Sequence, residues 1–169
     1  IQLHDVFRTY LGEQLGEDAE AVHGRFLDNY QVDKWENLPQ TEPYLWEQLA
    51  YHLKEAGRVA ELKQLLLNVE WLWAKLNAPR MTATNLIADF DFVEGLERLD
   101  PCKIMRDTLT LTAHIWAEDK SQLATQLLGR LEPLTQQISG LSQTVTNLAS
   151  WSKNKLFKMI KPSLMTSGG

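Results

Sequence analysis

The 169-residue sequence contains a single cysteine, Cys102, which excludes an intramolecular disulfide and any zinc site built from several thiolates. Positive charge is also short. Lys and Arg number 17 against 22 Asp and Glu, a net charge of −5, whereas a phosphate-binding surface needs clustered cations. Nucleic acid is therefore not an expected partner. No apolar run approaches the ~20 residues that span a bilayer, so membrane insertion is not expected. No glycine precedes a lysine, which removes the phosphate-binding P-loop, and HExxH, GxSxG and EF-hand patterns are missing too. The start, IQLHDVFRTY, lacks a basic signal-peptide region and an initiator Met. A cytoplasmic setting is expected, with both ends cut from a longer polypeptide.

What is abundant is helical pattern. Hydrophobic residues make up 44% of the chain, six of them Trp, enough for a sizeable core. The clearest stretch is residues 44–76. There Leu45, Trp46, Leu49, Ala50 and Leu53 form one apolar stripe, Gly57 marks a stop, and Val59, Leu62, Leu65 and Leu66 form a second. So short a turn requires antiparallel helices. Val69, Leu72, Trp73 and Leu76 begin a third. Upstream, Leu3, Val6, Phe7, Tyr10, Leu11 and Leu15 predict a first helix that Gly16 stops; Ala19, Val22, Phe26 and Tyr30 predict a second. Residues 31–42 read as a loop anchored by Trp35 and Leu38. Thr82 or Thr84 is placed to cap a helix carrying Leu86, Ile87, Phe90 and Val93, with Gly95 at or beyond its end.

Asp100-Pro101 has the chemistry of a helix start. Ile104, Met105, Leu109, Thr112, Ala113 and Trp116 follow, then Ser121 as a cap and Leu123, Ala124, Leu127, Leu128 and Leu131 as a partner stripe. After Glu132 there is no further acid, and Gln, Ser, Thr and Asn dominate around Leu134, Ile138, Leu141, Val145 and Leu148, which read as one last helix. No repeat of fixed period is present. The core is expected to include Leu49, Leu53, Leu62, Leu66, Trp73, Leu127 and Leu128.

Chemistry-bearing residues are scattered. His4, His23, His52 and His114 fall on four different predicted helices with no partner one turn away, so no metal site is expected from them. Asp89 and Asp91 read as solvated. Cys102, at a helix start, has the position that lowers a thiol pKa but lacks a partner for nucleophilic catalysis. Near the end, Trp151, Leu156, Phe157, Met159 and Ile160 interleave with Lys153, Lys155, Lys158 and Lys161. That pattern fits either a basic interfacial helix or, with Pro162 and Gly168-Gly169, a linker.

The order of these pieces resembles the helical domain of STAND (NB-ARC) ATPases similar to apoptotic protease-activating factor. The residues behind it begin with Leu3-His4-Asp5, Tyr10-Leu11 and Trp35-Glu36-Asn37-Leu38-Pro39. They continue through Tyr51-His52-Leu53, Ala56-Gly57-Arg58, Trp71-Leu72-Trp73-Ala74-Lys75-Leu76 and Leu86-Ile87-Ala88-Asp89-Phe90. Ala113-His114-Ile115, residues 122–131 (QLATQLLGRL) and Lys161-Pro162-Ser163-Leu164 complete them. The resemblance implies an all-α fold of stacked antiparallel helical hairpins, an α-solenoid or armadillo-like domain. It further implies that residues 1–16 are the last helix of a winged-helix domain, 17–152 the helical-hairpin domain, and 153–169 a linker toward a WD-repeat propeller.

The same resemblance implies a non-catalytic arm that relays autoinhibition, activation and oligomer assembly. Its partners would be the nucleotide-binding, winged-helix and propeller domains of the same chain and other copies in an oligomer. ADP or ATP would belong to the parent protein, with no cofactor in this stretch. In the family, a Met/Leu-His-Asp motif reports on bound nucleotide, so His4 would face the β-phosphate of ADP and Asp5 would orient it. An imidazole suits that task because it donates a hydrogen bond to an anion and its charge is tunable near neutral pH. The alternative is a free-standing helical-repeat adaptor for protein–protein interaction.

Overall fold

The computed structural model describes residues 19–151 apart from positions 94 and 96. The first predicted helix, with His4 and Asp5, and the lysine-rich end, with its proposed linker 153–169, lie outside the described residues. Eight α-helices follow in order: α1 (Ala19–Asp28), α2 (Pro43–Glu55), α3 (Val59–Leu66), α4 (Val69–Asn77), α5 (Ala83–Ala88), α6 (Pro101–Trp116), α7 (Leu123–Leu131) and α8 (Ser142–Trp151). Short 3-10 turns occupy Trp35–Asn37, Asp89–Phe92, Lys120–Gln122, Glu132–Leu134 and Ser139–Leu141. No strand occurs among the described residues. Each helix packs on the next, so the fold is an all-α stack of helical hairpins, and α8 also reaches back to α4.

Local chemistry explains where the helices begin and end. Between α2 and α3, Gly57 adopts φ +67, which a side chain would strain, and a Cβ there would meet Glu20 Oε1 of α1 at 2.7 Å. Asn68 caps α4 by accepting from the N–H groups of Glu70 and Trp71 at 2.9 and 3.3 Å. Thr82 and Asn85 make a reciprocal capping box on α5, and Gly95 (φ +66) lies just beyond the turn that follows it. Asp100 caps α6 through the Cys102 N–H at 2.8 Å, with Pro101 at the first helical position.

Two expectations about the second half change. Asp119 caps the 3-10 turn that leads into α7 by accepting from the Ser121 N–H at 3.0 Å; Ser121 is inside that turn and donates its hydroxyl to the same carboxylate. The last apolar stripe is not one helix. Pro133 lies within one 3-10 turn and Gly140 within another, and α8 starts only at Ser142. Gly140 is required by contact, since a Cβ there would approach Pro101 Cγ to 2.5 Å.

The core runs from Leu27 to Trp151 as one cluster. Leu49, Leu53, Leu62, Leu66 and Leu127 are fully buried, as their spacing requires. Trp73 and Leu128 are only half-buried. The inward indole of α4 is Trp71, which stacks on Trp46 of α2 with ring centroids 5.1 Å apart and planes at 14°. Trp73 instead turns toward α8 and meets Trp151 edge-on at 5.0 Å. Val59, expected in the stripe of α3, is 41% exposed because it is the first residue of that helix and lies at its open end.

Loop 31–42 is held as read. Leu38 is buried, Trp35 donates to Glu61 Oε1 at 2.8 Å, and Trp46 donates to the Pro39 carbonyl at 3.1 Å. These burials lead to a paired test. Leu53→Ala should lower unfolding free energy by about 2–5 kcal/mol through lost transfer energy and a cavity, whereas Val59→Ala should stay within about 0.5 kcal/mol. Urea denaturation of the two variants measures both.

Candidate functional site

Two polar clusters sit in this apolar framework. The first lies at the seam of α1 and α2. His23 and His52, 29 residues apart, bring their Nδ1 atoms to 2.8 Å, and His52 Nε2 is 2.9 Å from the Tyr44 hydroxyl. Phe26 lies against His52 with centroids 4.4 Å apart, and Tyr51 meets both imidazoles edge-on. A neutral imidazole has one N–H and one acceptor nitrogen, so one histidine of the pair donates and the other accepts. Two imidazolium ions cannot face each other in this way, so at most one ring is charged while the contact holds. The pair could not be read from spacing because the two residues come from different helices.

No group of three His, Cys, Asp or Glu side chains suited to an ion occurs among the described residues. His114 is exposed on α6, far along the chain from the pair, and joins no such cluster.

The second cluster is an ion pair in the interior. Lys75 of α4 is 0% exposed and Asp89, at the start of the turn after α5, is 2% exposed. Lys75 Nζ donates to both carboxylate oxygens of Asp89, at 2.7 and 2.6 Å, and lies 5.8 Å from the centroid of the Trp71 ring. The solvated reading of Asp89 is thus corrected. The helix tightens into a 3-10 turn at Asp89, which carries that side chain inward beside Phe90, while Asp91 stays exposed and pairs with Arg106. Burial outweighs the attraction of Lys75 and pushes the Asp89 carboxyl up from 3.8 to about 6. The Trp71 indole N–H is buried beside this pair without a hydrogen-bond partner among the described residues.

Cys102 is also corrected. Its thiol is buried, 3.8 Å from the Lys63 carbonyl, and burial together with the Asp100 carboxylate pushes its pKa up to about 12. It is a packing residue with no thiolate character near neutral pH. Lys63 closes this corner by an ion pair with Asp100 at 2.9 Å. Around the seam of α1, Arg58 binds Asp28 at 2.9 Å and Glu61 at 2.7 Å.

The geometry is that of a packed scaffold whose polar groups mostly serve its own helices. The family model of the APAF-1 helical domain matches residues 19–149, which takes in α1 through most of α8. The chain belongs to this family. No curated protein and no solved structure matches it. The match thus covers the described helices up to residue 149, and the family is the helical domain of APAF-1-like STAND ATPases. No described helix is long and apolar enough to cross a membrane.

The buried pair makes a sharp prediction for this domain. Lys75→Met should destabilise by about 3–5 kcal/mol, because it strands a buried carboxylate, while adding Asp89→Leu should restore most of the loss. The native state holds the Asp89 proton more tightly than the unfolded chain does. This group's stabilising contribution is therefore complete below pH 3.8 and lost as pH rises through about 6. In Lys75→Met the carboxyl should titrate higher still, which carbon-detected NMR of Asp89 would read.

Proposed function

We propose that the chain is the non-catalytic arm of a STAND-type signalling ATPase, with residues 17–152 joining a nucleotide-gated hub to a WD-repeat propeller. In this reading residues 1–16 close the winged-helix domain and 153–169 lead into the propeller. The bound nucleotide, ADP or ATP, belongs to the parent protein, in the cytoplasm. Membership of the APAF-1 helical domain family carries the reading. The continuous core supports it physically, because a stack packed from Leu27 to Trp151 moves as one body and passes a rotation at one end to the other. Autoinhibition, activation and assembly of copies into an oligomer would then be changes in how this body sits between its neighbours.

His4 and Asp5 belong to the same proposal. An imidazole on the β-phosphate of ADP stabilises the closed state selectively, and only such differential binding shifts a conformational equilibrium. A charge-assisted hydrogen bond contributes about 1.5–3 kcal/mol, so its loss changes the open population by roughly 10- to 150-fold. His4→Ala in the parent protein should accordingly speed ADP release by that order, with circular dichroism unchanged. The chain by itself should show no ADP binding by calorimetry. Equal release rates in the two folded proteins, or micromolar ADP binding by the chain alone, would overturn this reading.

A further inference from the structure

Residues 133–151 (PLTQQISGLSQTVTNLASW) contain no Asp, Glu, Lys, Arg or His, in a chain of which 23% is charged. Solvated surface usually carries charge, and charge is depleted at the centre of surfaces that a partner covers. The buried side of this run is accounted for by Leu141, Val145 and Leu148. Its other side is amide and hydroxyl, and Gln143 and Thr146 are exposed on α8. That side forms one wall of a cleft of about 500 Å³, whose opposite wall comes from the end of α3, the start of α4 and the turn Trp35–Asn37.

The cleft has an unusual chemistry for a space between helices. Gln64, Asn68, Gln143 and Asn147 line it with four carboxamides, together with the carboxylates of Glu36 and Glu70; Leu67 is the one large apolar residue. Each carboxamide offers both donors and an acceptor. Some of this capacity is used internally. Asn68 Oδ1 caps α4, Gln143 Nε2 donates to Asn147 Oδ1 at 2.9 Å, and Thr144 donates to the Leu67 carbonyl at 3.2 Å. The Gln143 oxygen, the Asn147 amide nitrogen and the whole Gln64 amide are left for a visitor. The Glu70 carboxylate has no ion pair or hydrogen bond among the described residues, and that of Glu36 has only a 3.4 Å contact from Asn68. Lys34, exposed at the rim, is the single cation of the lining, so the cleft carries excess negative charge.

We propose that this cleft is a docking slot for an extended peptide segment of a partner protein, with a basic side chain of that segment held by Glu36 and Glu70. An extended backbone presents N–H and C=O groups in alternation, and an array of carboxamides answers both kinds along its length. With Leu67 as its one large apolar side chain, the lining has no anchor pocket for an amphipathic helix, whose binding depends on several buried aliphatic or aromatic side chains. The two carboxylates choose the sign of the guest, and the uncharged wall of α8 lets it approach without stripping water from an ion. The slot depends on this cleft alone and not on the arm reading, so either can fail without the other.

The test uses the chain with nitrogen-15 label and the tripeptide acetyl-Gly-Arg-Gly-amide as probe, with acetyl-Gly-Glu-Gly-amide as its counterpart. The arginine peptide should shift the side-chain amide signals of Gln64, Asn68, Gln143 and Asn147 saturably, and the glutamate peptide should not. Glu36→Gln/Glu70→Gln should weaken the arginine peptide by about tenfold or more, the effect of losing one charged hydrogen bond. Glu36→Gln alone, which keeps Glu70 in the first turn of α4 and an amide oxygen for the Asn68 contact, should weaken it in the same direction. Non-saturating shifts, equal shifts by both peptides, or unchanged affinity in the folded double variant would each overturn the slot.

Discussion

Lys75 and Asp89 are both withdrawn from water, so the ammonium and the carboxylate each depend on the other for solvation. That dependence reaches well beyond two residues. Lys75 lies over Trp71, Trp71 stacks on Trp46, and Trp46 holds the Pro39 carbonyl, which connects α4 to α2 and to the loop before it. From the other side, Lys120 donates to the Leu76 carbonyl at 2.7 Å and ties the end of α4 to the turn before α7. Replaced by well-packed apolar groups, such a pair would cost little or nothing in stability. Its effect is on register, because rotating α4 by one residue would strand a charge in hydrocarbon.

The first and last described helices, α1 and α8, are held by different means. At α1 Leu27 is buried and Phe26 packs on Tyr44 and His52, and polar contacts add to them: two imidazoles, a tyrosine hydroxyl and the Arg58 bridge to Asp28. At α8 they are mainly apolar, through Leu141, Leu148 and the Trp73–Trp151 contact, and the Thr144 hydroxyl donates to the Leu67 carbonyl at the end of α3. Exposed ion pairs are worth little in free energy, so among the described residues Leu27, the buried residue of α1, and the ring contacts of Phe26 carry most of its attachment.

Outside the core, the surface is divided between a charged region and a charge-free one. The α6 surface carries Lys103, Asp107 and Arg106 in exposed or half-exposed pairs, of the kind that keep a helix solvated. The α8 surface has none, and its amides border the cleft beside Glu36 and Glu70.

The sequence by itself determined most of the helices, the caps at Thr82 and Asp100, and the bulk of the core. Those features follow from local rules: a 3.6-residue period buries Leu49, Leu53 and Leu62, and Asn-, Thr- or Asp-type oxygens satisfy the first N–H groups of a helix. The family was legible in the order of short motifs, and residues 19–149 carry its match. Trp71 against Trp73 was not legible, because both fit the apolar pattern and only the positions of α2 and α8 decide which indole is enclosed. Nor were Lys75–Asp89, His23–His52 or the high pKa of the Cys102 thiol. Burial and charge pairing are properties of the space between helices, set by partners 14 to 39 residues away, and no local period records them.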